Sequence, residues 1–372
     1  MTLARRVLPG LGAMLALGLL ATPVAGGETF RLSGSAGAEA QLMPPNGSSP
    51  LNPGNVAGIP GITNVSDASV VAEAVTESRA WKLRIRMRGE SSDRGAERLA
   101  LGEAFLQISP RKWLDVTLGR VIEKWGSGYA WNPVAFVGPA KDPRDPNDRR
   151  SVYRGVAMGR ADLFVRGTSV SLYALSHGAY AARVYRLIGG TDVSFYSARE
   201  RTVSSGPPAV MRTRQGVSLS RVFGESLELH GEAAGRRVLV GGQYTLHGGT
   251  NVVVELYRSG DGLTERQWNA FRDSVGQSLP RANRDYRPLQ MARNYAFLRL
   301  ALPPGGFKTE LEVIAITNLR DGSSIARATL TRKLRTNVSA YLIDTEFLGA
   351  AGSELSYMQV RRVSVMGLRA WF

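Results

Sequence analysis

Lys82, Arg84, Arg86 and Arg88 occupy every second position of one segment. Side chains two apart on an extended strand share a face, so these four would form a single cationic row. Trp81, Leu83, Ile85 and Met87 fall between them and would form an apolar row on the other face. A cationic row beside water lowers the barrier for a hydrated anion, which is the chemistry of attraction and passage rather than of bond making.

Other constellations are weaker. Asp142, Asp145 and Asp148 carry oxygen ligands at a spacing that suits calcium. Two prolines and the flanking Lys141, Arg144, Arg149 and Arg150 favour a solvated or internally paired loop instead, so no metal and no cofactor are expected. Trp125, Tyr129 and Trp131 suit a sugar-stacking track, an interfacial aromatic belt, or simple packing of a loop on a wall, the last being the plainer account. The chain has three histidines, His177, His230 and His247, and no nucleophile elbow or metalloprotease helix accompanies them. His230 between Glu228 and Glu232 would be the best catalytic candidate. A hydrogen-bond role in a water-filled interior fits it better, and the chain reads as a non-enzyme.

The elements that must position these residues begin after an address label. Arg5 and Arg6 precede an apolar run of 14 residues, Val7 to Leu20, and then small residues near Gly26, so residues 1–26 read as a signal peptide. The run is short of the roughly 20 residues that a spanning helix needs, and no later run reaches that length. There is no cysteine, which excludes a disulfide framework and thiolate metal sites. The formal charge is +16, and +14 remains without Arg5 and Arg6. Export argues that this surplus serves anionic lipid or an anion path and not nucleic acid.

Residues 27–78 are rich in Gly, Ala, Ser and Pro, and read as a mobile or plug segment, or as a partial first strand over Glu28 to Leu42. From Trp81 onward, two-residue rhythms recur to the end of the chain, including Val363 to Phe372, VSVMGLRAWF. Repeated half-apolar strands with 43% hydrophobic residues suit a wall between lipid and water. Only a closed sheet satisfies its backbone there. The expected fold is therefore all-β, a transmembrane antiparallel up-and-down barrel over residues 79–372 with about sixteen strands, eighteen also being possible. Counting from Trp81 places every long connection at one end: Ser91 to Arg98, Lys124 to Arg154, Arg201 to Thr213, and Asp261 to Ala292. Within the last, a long external loop over 261–292, Leu263 to Leu279 has helical spacing after a start at Thr264.

The stretch Ala104 to Pro133, AFLQISPRKWLDVTLGRVIEKWGSGYAWNP, resembles bacterial outer-membrane porin-like channels. An aromatic-ended strand, with Phe105, turns tightly into a second strand, Leu114 to Leu118, that ends in Gly119 and Arg120 and leads to a long loop. The resemblance implies that residues 122–155 fold inward as a constriction loop, with Arg120, Lys124, Trp125, Trp131, Asn132 and Lys141 at the narrowing. Arg120 shares the parity of lipid-facing Leu118 and must sit at the rim or follow a bulge. The Trp- and Pro-rich loop lacks the acidic character of general porin loops, so cation selectivity does not transfer.

Because Arg or Lys at the bilayer midplane costs about 2 to 4 kcal/mol each, the Lys82 to Arg88 row must face the lumen. The same parity assigns Arg160, Arg166, Arg299, Arg327, Lys333 and Arg369 to the lumen, with Glu103, Glu228, Glu232, Glu255, Glu310 and Glu312 beside them. The expected function is passive diffusion of small, preferentially anionic solutes across the outer membrane. Two alternatives stay open: an export or uptake barrel for an acidic polysaccharide, and a structural or assembly barrel of little conductance. Expected partners are outer-membrane lipid and lipopolysaccharide, small anionic solutes, the barrel-assembly machinery through Phe372, and further copies in a homotrimer, as is common among porins.

Overall fold

The computed structural model describes residues 28–76, 80–93, 95, 97–149, 152–202, 210–304 and 308–372. The proposed signal peptide lies outside these residues. Eighteen strands form the wall: β1 (Glu28–Leu42), β2 (Ile62–Thr76), β3 (Trp81–Ser92), β4 (Glu97–Arg111), β5 (Leu114–Val121), β6 (Val156–Val165), β7 (Thr168–Leu175), β8 (Tyr180–Ile188) and β9 (Thr191–Thr202) make one half. The other half is β10 (Val210–Phe223), β11 (Leu227–Ala234), β12 (Arg237–Thr245), β13 (Asn251–Ser259), β14 (Asn294–Leu302), β15 (Thr309–Asn318), β16 (Ser324–Arg335), β17 (Val338–Leu348) and β18 (Arg362–Trp371). Each strand pairs antiparallel with the next, and β18 pairs with β1, Arg369 opposite Gly37, which closes the sheet. No helix among the described residues is long and apolar enough to cross a membrane.

The strand count is eighteen, the higher of the two numbers expected. The added pair is β1 and β2, built from the segment read as a plug or partial strand, and they run in register over all fifteen residues of each. Small side chains obscure their alternation: Gly34, Ala36, Ala38 and Ala40 hold the outward positions of β1, where larger apolar groups mark other strands. Ahead of β18 the chain forms a one-turn 3-10 helix (Glu354–Tyr357) and a short loop.

Alternation sorts the wall as expected. Leu83, Ile85, Leu106, Leu118, Leu172, Phe195, Leu229, Val254, Leu298, Leu342 and Leu368 lie exposed on the outside, where lipid would cover them. At one end the connections are tight. Arg166 and Gly167, and Gly189 and Gly190, all have positive φ, as two-residue hairpins require to match strand twist. The opposite end carries the long connections, residues 43–61, 122–155, 260–293 and 349–361.

Three of these pack together at that end of the barrel. The expected helix is present as α1 (Glu265–Gln277), started by a capping box in which Thr264 and Gln267 satisfy one another's amides, and is followed by the short α2 (Leu279–Asp285). Leu51, Trp268, Phe271, Tyr286 and Tyr357 form their shared apolar core. Glu354 lies beneath, fully buried, accepting from Tyr295 Oη at 2.9 Å, Leu289 N at 2.7 Å and Asn318 Nδ2 at 2.8 Å. Burial pushes its carboxyl up to about 7.

Candidate functional site

The connection over residues 122–155 enters the barrel. Its two tryptophans insert into separate stretches of wall: Trp125 packs on Tyr173 and Tyr196 of β7 and β9, and Trp131 stacks on Tyr257 of β13 with ring centres 4.9 Å apart. Both are nearly fully buried, so they anchor the loop and leave no face for a sugar. Burying the loop also buries backbone amides, and each needs an acceptor. Two wall carboxylates supply them. Glu232 of β11 accepts from Gly128 N at 2.6 Å, while Glu255 of β13 accepts from Tyr129 N and from Ala130 N at 2.8 Å. His230 Nε2 lies 2.9 Å from Glu255, so that histidine belongs to the anchor. His177 and His247 sit in connections, away from it and from one another.

Within the loop, Asn132 Oδ1 accepts from Lys141 N at 3.0 Å, and Lys141 Nζ donates to Gly128 O. Burial lowers the Lys141 pKa, against the pull of Glu255 and Glu232. The aspartate cluster is internally satisfied. Asp142 accepts from Arg144 Nη2 at 2.9 Å, and although burial would raise its pKa, that pairing holds it below the usual carboxylate range. Asp148 accepts Val152 N at 2.7 Å and Tyr153 N at 3.2 Å. Among the described residues no group of three His, Asp or Glu side chains is arranged to hold a metal.

The loop therefore occupies the side of the lumen walled by β6 to β15. Toward β16, β17, β18, β1, β2 and β3 it leaves a cavity of about 820 Å³. Arg149 spans the gap, donating to Glu312 and to Thr329 Oγ1 at 3.0 Å. Arg369 donates to Arg149 O, and Arg327 to Arg144 O, so the loop tip is held from both sides.

Most of the expected lumen residues are where parity put them, and each is engaged by a carboxylate. Lys82 lies 2.6 Å and Arg84 2.9 Å from Glu73, Arg86 is 3.1 Å from Glu103, and Arg88 is 2.5 Å from Glu90. Arg160 joins Glu123 at 2.7 Å and Asp162 at 2.8 Å, Arg299 joins Glu312 at 2.7 Å, and Arg369 joins Asp67 at 2.8 Å. Arg327 is 3.9 Å from Asp145. Lys333 has inward parity but lies exposed at the tight-turn end of β16.

Two positions need correction. Arg166 is no lumen residue, because it takes positive φ in the hairpin joining β6 and β7, beyond the last inward position. Arg120 belongs to β5 rather than to the loop, and sits at the rim with Nη1 donating to Gly155 O at 2.9 Å. Lys124 is exposed on the loop. The sequence reading missed Glu39, Asp67, Arg144, Arg149 and Tyr341 as cavity or near-cavity groups. For Glu39 and Asp67, their place on inward positions of β1 and β2 was the available signal.

No family model and no curated protein matches the chain. Among solved structures, a double mutant of the Rhodopseudomonas blastica porin covers 92% of this chain and 100% of its own, with a TM-score of 0.51 and 13% identity. Salmonella typhi OmpF, solved with daunomycin, covers 93% of this chain and 98% of its own at 11% identity and a TM-score of 0.47. At 13% identity the first likeness speaks for the fold, and it agrees with the closed antiparallel wall and apolar exterior. The chain has the closed antiparallel β-barrel fold of that porin.

Proposed function

We propose that this barrel is a passive channel for small solutes with a preference for anions. The observation that carries the reading is the charge around the constriction cavity. Arg86, Arg144, Arg149, Arg327 and Arg369 line it, against Glu39, Asp142 and Asp145. The surplus is modest, because ion pairs neutralise much of the wall, and so the preference is graded rather than absolute. Low-dielectric walls focus what remains. Hydroxyls of Ser69, Thr329, Thr331, Ser339 and Thr345 in the same lining offer a passing solute replacement for lost water.

In this reading the loop sets the size limit, the outer belt meets lipid and lipopolysaccharide, and the barrel works alone or as a homotrimer. Purified protein in a planar bilayer, under a tenfold potassium chloride gradient, tests it. The expected reversal potential has the sign of chloride preference. Preference for potassium, or no conductance, removes the reading.

A further inference from the structure

We infer that the long-loop mouth of the lumen holds a capture site for small multivalent oxyanions, meaning organic acids or phosphates with two or more negative charges. The inference rests on the channel reading and names its solute class. A second cavity, of about 310 Å³, opens between β3, β4 and the returning arm of the inward loop. Arg86, Arg88, Arg98 and Arg154 line it, and Glu90 is the only carboxylate in that lining.

The charges here are balanced differently from those deeper in the wall. Arg86 and Arg88 are held by Glu103 and Glu90. Among the described residues no carboxylate lies within 4.0 Å of Arg98 or Arg154, and both side chains are exposed to the cleft's solvent. Two guanidiniums are thus left to an outside partner. Guanidinium forks match the planar or tetrahedral oxygens of carboxylate and phosphate, and two uncompensated forks favour a ligand that brings two charges.

The floor makes room for such a ligand. Ala100 and Gly102 stand where longer inward side chains would fill the cleft, and a Cβ at Gly102 would already press on Arg86 Cδ at 3.3 Å. Gly155 N donates to Gly102 O at 2.7 Å, which fixes the loop arm carrying Arg154 against that floor. The volume suits a small molecule, not a run of polymer. Arg86 also lines the constriction cavity, so an anion released from the mouth meets the next guanidiniums without recrossing bulk water.

The test uses the full barrel in detergent and in bilayers, with citrate and pyrophosphate as probes and acetate as the monovalent control. By calorimetry, citrate or pyrophosphate is expected to bind at least tenfold more tightly than acetate, and the tighter of the two identifies a carboxylate or a phosphate ligand. Replacing both exposed groups, Arg98→Gln with Arg154→Gln, should weaken that binding at least tenfold. In bilayers the same probes should block chloride current at lower concentration from the long-loop side. Equal affinity for acetate, or unchanged affinity in the double variant, overturns the site while chloride selectivity still stands. Binding only of a long oligouronate overturns it in favour of a polymer path. Because calorimetry needs no current, the site is also testable should the barrel prove silent.

Discussion

Glu255, fully buried on β13, holds the loop from below through the backbone amides of Tyr129 and Ala130. A wall residue therefore decides the shape of the passage without lining it. A buried charge accepting several amides is worth keeping only if all are satisfied, and here His230 completes the set.

Glu255→Ala leaves two buried amides and His230 without their acceptor, which costs about 1–3 kcal/mol for each unsatisfied group. The loop is expected to detach in part. Single-channel conductance should rise and current noise increase, with a lower unfolding temperature. Unchanged conductance would show that the other anchors, Trp125, Trp131, Glu232 and the Arg327 and Arg369 contacts, suffice to fix the loop.

Arg149→Gln removes the cation that bridges the loop tip to Glu312 and Thr329. Glu312 keeps Arg299 as its partner, so the wall stays folded. Anion preference, read as reversal potential, is expected to fall and conductance to increase modestly, by less than about twofold, since one of five lining guanidiniums is lost.

Glu354 is expected to make the packing of the long connections depend on pH. Its carboxyl is raised to about 7 in the folded protein, mainly by burial, against an ordinary value of 4.5. Between those values the folded state binds the proton and the unfolded state does not, so stability falls as pH rises through the window, by at most about 1.4 kcal/mol per pH unit. Tyr295, Tyr286, Asn318 and Asp321 face the group from neighbouring elements. Amide exchange over residues 263–293, corrected for intrinsic rates, should be slower at pH 5.5 than at pH 8. In Glu354→Gln that difference should vanish.

Gly119 has φ of +130°, and a Cβ there would lie 2.2 Å from Ala104 O across the β4–β5 pair. Gly119→Ala combines a disfavoured backbone with a collision against main chain, at about 1–3 kcal/mol for the backbone conformation alone. Refolding yield, read by the gel shift between boiled and unboiled protein, should drop sharply. A normal yield would mean that the two strands part easily at this point.

The barrel was legible because lipid imposes a two-residue rhythm that large side chains report. Trp81 to Arg88 shows both faces plainly, and the connections at Gly167 and Gly189-Gly190 carry their turn chemistry in the residues themselves. In β1, Gly34, Ala36, Ala38 and Ala40 hold the middle of the outer face, in β2 Ser66, Ala68, Ala72 and Ala74 stand among its outward residues, and the rhythm fades although the hydrogen bonding is the same. Parity also placed Glu232 and Glu255 inward, but their task depends on a loop more than ninety residues away in the chain, a relation that no local pattern carries. Arg144 and Arg149 were hidden for the same reason, since nothing in KDPRDPNDRR states which wall strand it meets. Arg166 shows the opposite failure, where a rhythm was extended one residue past the point at which the chain turns.

Gly34 and Phe372 exchange both of their backbone hydrogen bonds, and the Phe372 ring closes over the space that a side chain at Gly34 would need. The ring of strands is thus fastened by its two members most distant in sequence. Every other pairing is between neighbours and can form as the polypeptide emerges, but this fastening must wait for the final strand. Until then two bare edges stand open to any other extended chain, which makes the unclosed wall the form most exposed to mispairing.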